Sequence, residues 1–166
     1  MSVAPFDPLR AVMVLQRHDV RFIIVGGLAA SVLGSPTVTN DFDLCYSRDT
    51  ENLIHLAEAL RELNATLRGS PADLPFQLDE RTLRLGDSFT FQTDAGNLDC
   101  IGTPSGTTGY EDLFRSAIEI DLGDGTSVRI TSLDDLIRMK KAAGRPKDLI
   151  ELEILAALRD EAAGGS

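Results

Sequence analysis

Apolar and polar positions along this chain switch repeatedly between a helical and an alternating period, and the switches mark its elements. Asp7-Pro8 is an N-cap followed by Pro at the first helical position, and Leu9, Val12, Met13 and Leu15 form a rough apolar stripe, predicting a helix to about His18. Arg21 to Val25 predicts a short apolar strand broken by Gly26-Gly27; Leu28 to Leu33 predicts a short helix closed by Gly34-Ser35-Pro36. Asp41 to Tyr46 is the second strand. Asp49 or Thr50 caps a helix through about Leu63, with Leu53, Ile54, Leu56, Ala57 and Leu60 inward. Residues 66 to 81 carry Gly, Ser and two Pro and are expected to be irregular. Phe89 to Thr93 and Leu98 to Ile101 are paired strands around the turn at residues 94 to 97. After a loop from Gly102 to Gly109 come a short helix, Tyr110 to Ser116, and a hairpin of Ile118 to Leu122 with Ser127 to Ile130. Ser132 and Asp135 resemble a capping box for a helix to about Ala143. Gly144-Arg145-Pro146 breaks the chain, a last helix runs from about Lys147 to Arg159, and AAGGS is a frayed tail.

Strand alternation turns one short run into candidate chemistry. In TNDFDL, Asp41 and Asp43 share one face, and Phe42 and Leu44 share the other. Two carboxylates held that close repel, and burial raises their proton affinity unless a cation neutralises them. A hard divalent ion is the usual solution, and oxygen ligands with room for phosphate suit Mg²⁺. Asp41 follows Gly27 by fourteen positions. A strand that ends in Gly-Gly and opens onto a helix offers close backbone approach and free N–H groups to an anion. Asp99, in Leu98-Asp99-Cys100, is a third carboxylate between apolar strand residues; it can complete a metal site or take a proton from an attacking hydroxyl.

Composition narrows the setting. The formal charge of −10 excludes a general DNA binder, which needs a surplus of Lys and Arg, and leaves room for a basic partner protein. No apolar run approaches the roughly 20 residues that cross a bilayer, and MSVAPFDPLR lacks the basic start and apolar stretch of a signal peptide. A soluble cytoplasmic protein with no membrane partner is expected. Parity puts Cys45 on the face of Asp41 and Asp43 and Cys100 on the face of Leu98, so the two thiols should face apart and form no disulfide. His18 and His55 sit on helices as structural or exposed residues, and Arg48 reads as a surface residue just past the second strand.

Gly26-Gly27, then Asp41-Phe42-Asp43-Leu44, then Leu98-Asp99-Cys100 resembles the polymerase-beta-type nucleotidyltransferase superfamily. That pattern is a hydrophobic residue with Gly-Gly or Gly-Ser, a spacer of about a dozen, Asp-hydrophobic-Asp, and a later Asp between hydrophobics. The run SLDDLIRMKKAAGRPKDLIELEIL resembles the end of small standalone bacterial proteins related to AbiEii-like nucleotidyltransferase toxins, which carry a Lys on one helix and Arg-x-Lys-Asp opening the next. Lys140 and Arg145-Pro146-Lys147-Asp148 match these. The resemblance implies an α+β fold, a mixed sheet flanked by helices: a minimal nucleotidyltransferase fold with a C-terminal helical hairpin. Residues 1–131 would be the catalytic core and 132–166 the hairpin that supplies basic residues. It implies two Mg²⁺ ions at Asp41, Asp43 and Asp99, an NTP held by Gly26, Gly27, Ser31, Lys140, Arg145, Lys147 and Asp148, with Asp148 holding Lys140 or Arg145 in place, and NMP transfer to a hydroxyl. The acceptor would be RNA, such as the 3′ end of tRNA for a toxin with an antitoxin partner, or a small molecule. Asp99 sets this chain nearer the general transferase pattern than the toxin one. A non-catalytic nucleotide-binding or partner-binding module is the other reading of the same residues. A glycosyltransferase using D-x-D would leave Gly26-Gly27 and Asp99 unexplained.

Overall fold

The computed structural model describes residues 4–69 and 76–164. Helix α1 (Pro8–Arg17) begins where expected: the Asp7 carboxylate accepts from the Arg10 N–H at 3.2 Å, with Pro8 in the first turn. Strand β1 (Phe22–Val25) is buried along its whole length, as a continuous apolar run requires. Helix α2 (Gly26–Val32) starts at the first glycine rather than two residues later. β2 (Asp41–Tyr46) and α3 (Thr50–Glu62) follow. Asp49 stands at the N-cap of α3, but its carboxylate goes to Arg21.

The stretch expected to be irregular is only partly so. Residues 70–75 of it lie outside the described residues. It holds the two-residue strand β3 (Thr66–Leu67) and the start of helix α4 (Glu80–Leu85), whose N-cap Asp79 accepts from the Thr82 N–H at 2.9 Å. The chain continues through β4 (Ser88–Thr93), β5 (Gly96–Ile101), α5 (Tyr110–Phe114), β6 (Ile118–Gly123) and β7 (Thr126–Ile130). It ends with α6 (Leu133–Ala143) and α7 (Pro146–Gly164), the latter longer than expected. Ser132 caps α6 by accepting from the Asp135 N–H, and the Asp135 carboxylate pairs with Arg138 instead of completing a capping box.

The seven strands form one mixed sheet, ordered β3-β4-β5-β2-β1-β7-β6. β2 runs antiparallel to β1 and parallel to β5, and β1 runs parallel to β7. The larger core lies on the face of Phe42, Leu44 and Tyr46, joined there by Leu15 of α1, Leu53, Leu56 and Leu60 of α3, and Leu98 and Cys100 of β5. Phe42 and Leu44 are essentially inaccessible, and each such burial contributes about 2–3 kcal/mol. The opposite face carries a smaller cluster of Ile23, Val25 and Cys45 beneath Tyr110 and Leu113 of α5. Leu136 and Ile137 fasten α6 to the larger core, and Met139 packs against both. The two thiols therefore sit on opposite faces, both free, and burial pushes Cys45 up to about 12 and raises Cys100 as well. Neither is poised as a nucleophile. Among the described residues no helix is long and apolar enough to cross a membrane.

Candidate active site

The parallel pairing of β2 with β5 places Asp43 directly beside Asp99 and Asp41 beside Asn97. Parallel neighbours are about 4.8 Å apart, so the two carboxylates are as close as adjacent strands allow. They come from the middle of the sheet. β1, β2 and β5 thus present Val25, Asp43 and Asp99 side by side at one end of the smaller cluster, where α5 no longer covers the face.

Asp43 carries the strain of this arrangement. Burial, then the neighbouring Asp99 and Asp41, push its carboxyl up to about 7, and the Lys140 ammonium opposes the rise. Its Oδ1 is buried and has no hydrogen-bond partner. Above it passes Gly26, with φ +67°, and a Cβ there would run into Asp43 Oδ2. Gly27 is packed less tightly, since a Cβ there would lie 3.0 Å from the Thr39 side chain. The glycine pair therefore keeps the entry to α2 open over the carboxylate. Asp41 is steadier: its Oδ1 accepts from Asn97 Nδ2 at 3.2 Å.

Asp43 and Gly26 form one wall of a cleft of about 500 Å³, and Met139, Lys140 and Arg145 form the other. The second wall is built around Asp148, which is fully buried at the start of α7. Arg145 reaches it with Nε at 2.9 Å and with its backbone N–H at 3.0 Å, and Lys140 Nζ lies 3.3 Å away. Those contacts, led by the Arg145 guanidinium, hold the Asp148 carboxyl down to about 2. Glu151, one turn further on, takes Lys140 Nζ at 2.8 Å. The α6–α7 turn, capped by Gly144 at φ +63°, thus presents two cations across the cleft from the aspartates.

The fold compares most informatively with solved structures. No protein-family profile matches the chain, and no curated protein matches its sequence. A Thermotoga maritima protein described as a candidate nucleotidyltransferase superposes with a TM-score of 0.51 at 15% identity, covering 95% of this chain and 97% of that one. The solution structure of the antibiotic-resistance factor ANT(2″)-Ia gives 0.51 at 18% identity, over 95% and 91% of the two chains. The crystal structure of ANT(2″)-Ia with adenylyl-2″-tobramycin gives 0.51 at 16%, over 93% and 96%. This chain has a nucleotidyltransferase fold.

Within that fold, Asp43 stands beside Asp99 and lines the cleft opposite Lys140 and Arg145, whereas Asp41 pairs with Asn97 and neither Asp41 nor Asp99 lines the cleft. Gly26 lies over Asp43, whereas Gly27 packs on Thr39 and does not line the cleft. Asp148 meets no open cleft and serves the two cations instead. Ser31 donates its hydroxyl to the Thr37 carbonyl, and Lys147 is exposed; neither lines the cleft. Arg48 is a structural residue, reaching the Gly86 and Arg84 carbonyls at 2.6 and 2.8 Å.

Three partners escaped the sequence reading: Asn97 on Asp41, Glu151 on Lys140, and Arg68, whose Nη2 meets Asp99 Oδ1 at 2.5 Å. Glu151 was the findable one, three residues past Asp148 on the same helical face.

The nucleotidyltransferase resemblance implies a divalent metal, and the donor chemistry suits one. The three carboxylates supply hard oxygens, and Asp43 Oδ1 is buried without a hydrogen-bond partner. Among the described residues no three such side chains already enclose an ion-sized space.

Proposed function

We propose that this chain is a divalent-metal-dependent nucleotidyltransferase that moves a nucleoside monophosphate from an NTP to a hydroxyl and releases pyrophosphate. One observation carries the reading. An orphaned, half-buried carboxylate, with a second carboxylate beside it on the neighbouring strand, lines a cleft that Lys140 and Arg145 also line. Asp41, Asp43 and Asp99 would hold Mg²⁺, two ions at full occupancy, which supplies charge neutralisation at the transferring phosphate. Lys140 and Arg145 answer the remaining negative charge of the triphosphate from across the cleft. Lys140 is held on two carboxylates, and the Arg145 side chain, held on Asp148 through Nε at 2.9 Å, keeps 55% of its surface open to the cleft side. The N–H groups that open α2 at Gly26 and Gly27 receive phosphate oxygens without side-chain interference. Asp99 accepts the proton of the acceptor hydroxyl. The acceptor oxygen then bonds to the α-phosphorus, and the bond from that phosphorus to the bridging oxygen breaks. Its electron pair leaves with pyrophosphate.

Two acceptor classes divide the reading. The basic run of Lys140, Lys141, Arg145 and Lys147, with the likeness of the C-terminal stretch to AbiEii-like toxins, supports an RNA end such as that of tRNA, with an antitoxin as partner. A small hydroxylated amine is favoured by a different observation: Lys140 and Arg145 are spent on Asp148 and Glu151, and the chain as a whole is acidic. ANT(2″)-Ia, seen with adenylyl-2″-tobramycin, spans nearly the same length of fold. Each of the four α-labelled NTPs, incubated with Mg²⁺ over total RNA and over a panel of aminoglycosides, separates them. Label in RNA, with toxicity on induction that requires Asp41, supports the first class; label in a small acceptor supports the second. NTP binding with no label and no pyrophosphate over every acceptor would leave a non-catalytic nucleotide-binding module.

A further inference from the structure

Arg68 lies just past the short edge strand β3, in a stretch with no periodic pattern, and nothing in the transfer reaction as described uses it. Its backbone N–H bonds the Thr90 carbonyl at 2.9 Å, which fixes the residue along β4. From there the guanidinium crosses to β5. Nη2 donates to Asp99 Oδ1 at 2.5 Å and to the Phe91 carbonyl at 3.2 Å. Lys140 is held by Asp148 and Glu151 instead. Among the described residues Arg68 is thus the cation in direct contact with the three-carboxylate group, and an arginine keeps its charge at any working pH.

Resting on the reading above, we infer that Arg68 is a resident cation on Asp99: it holds that carboxylate out of the metal set, so that the first divalent ion is taken by Asp41 and Asp43 and Asp99 joins only when the guanidinium is displaced. The contact is breakable. The two side chains remain 30% and 22% exposed, and pairs in such settings are weak. The Phe91 carbonyl gives Nη2 a second acceptor when Asp99 lets go. Arg68 is a positioning residue, touching neither substrate nor the reacting phosphate.

The test is Mn²⁺ binding without nucleotide, read by calorimetry and by paramagnetic resonance of free Mn²⁺, with circular dichroism as the check on folding. The wild type should take one ion per chain. Arg68→Ala should gain a second site, or bind about five-fold more tightly, the scale of one weak pair no longer to be broken. Arg68→Gln serves if the alanine variant does not fold. Arg68→Lys should restore the single ion, and Arg68→Ala with Asp99→Asn should lose the gain. Two ions on the wild type would overturn the inference. So would an Arg68→Ala isotherm equal to or weaker than the wild type, while leaving the metal site intact. No ion on any variant would remove the metal-dependent reading along with it.

Discussion

Two charged clusters face each other across one cleft, and they are built by opposite rules. At the α6–α7 turn the buried charge is answered: Asp148 lies under Arg145 and Lys140, and Lys140 also has Glu151. At the β2–β5 centre the charges are left short: Asp43 sits against Asp99 and Asp41, with one oxygen unpartnered. The first cluster is finished as it folds. In the second, burial and the neighbouring carboxylates raise the proton affinity of Asp43, a cost that the proposed cation would relieve.

Breaking the finished cluster should have the largest effect on the protein itself. Asp148→Ala leaves a guanidinium and an ammonium without their common partner and should cost about 3 kcal/mol, measured by denaturant unfolding. Transfer should fall with it, as Lys140 and Arg145 lose their anchor. The pH signature has a definite sign. The Asp148 carboxyl is held from 3.8 down to about 2, so its contribution is full above the higher value and is lost as pH falls through the lower one. The melting gap between wild type and Asp148→Asn should close in that acid window.

Asp43 should do the reverse. Its carboxyl rises from 3.8 to about 7, so in this interval the folded chain keeps a proton that the unfolded chain gives up, and stability falls as pH rises. Without divalent ions, Asp43→Asn should melt above wild type at pH 8 by about 5 °C, with the gap closing near pH 4. A melting point at or below wild type at pH 8 would mean that the β2–β5 centre is as well satisfied as the turn opposite.

Gly26→Ala probes the space between the clusters. The new methyl meets Asp43 Oδ2 at a backbone angle of +67°, at a cost of about 1–2 kcal/mol and about 100-fold in transfer. At the small end stands His18→Ala, far from the cleft on Glu58 and Glu62. Transfer should be unchanged, and stability should move by less than about 1 kcal/mol.

The chain disclosed the unfinished cluster more readily than the finished one. Asp41, Asp43 and Asp99 are legible because each interrupts a strand at a position where alternation gives its direction. Their meeting is not, because the Asp43–Asp99 register is a pairing across 56 residues that only the folded sheet decides. Asp148 and Lys140 carry no periodic cue of burial, and as charged residues near helix ends they look solvated until the two helices pack. Arg68 follows a two-residue strand too short to show a period. Helix α4 was masked by the prolines before it, although Asp79 and Thr82 had the spacing of an N-cap. Gly26 looks like a break, yet it opens α2, and Asp43 leaves no room there for a side chain.

The most direct measurement is transfer from α-labelled NTP with Mg²⁺ by Asp43→Asn, alongside its melting curve. A folded variant, as stable as wild type or more so, with label transfer down at least about 1,000-fold is the result expected of a centre kept unsatisfied for its cation. Transfer near the wild-type rate from that folded variant would contradict it.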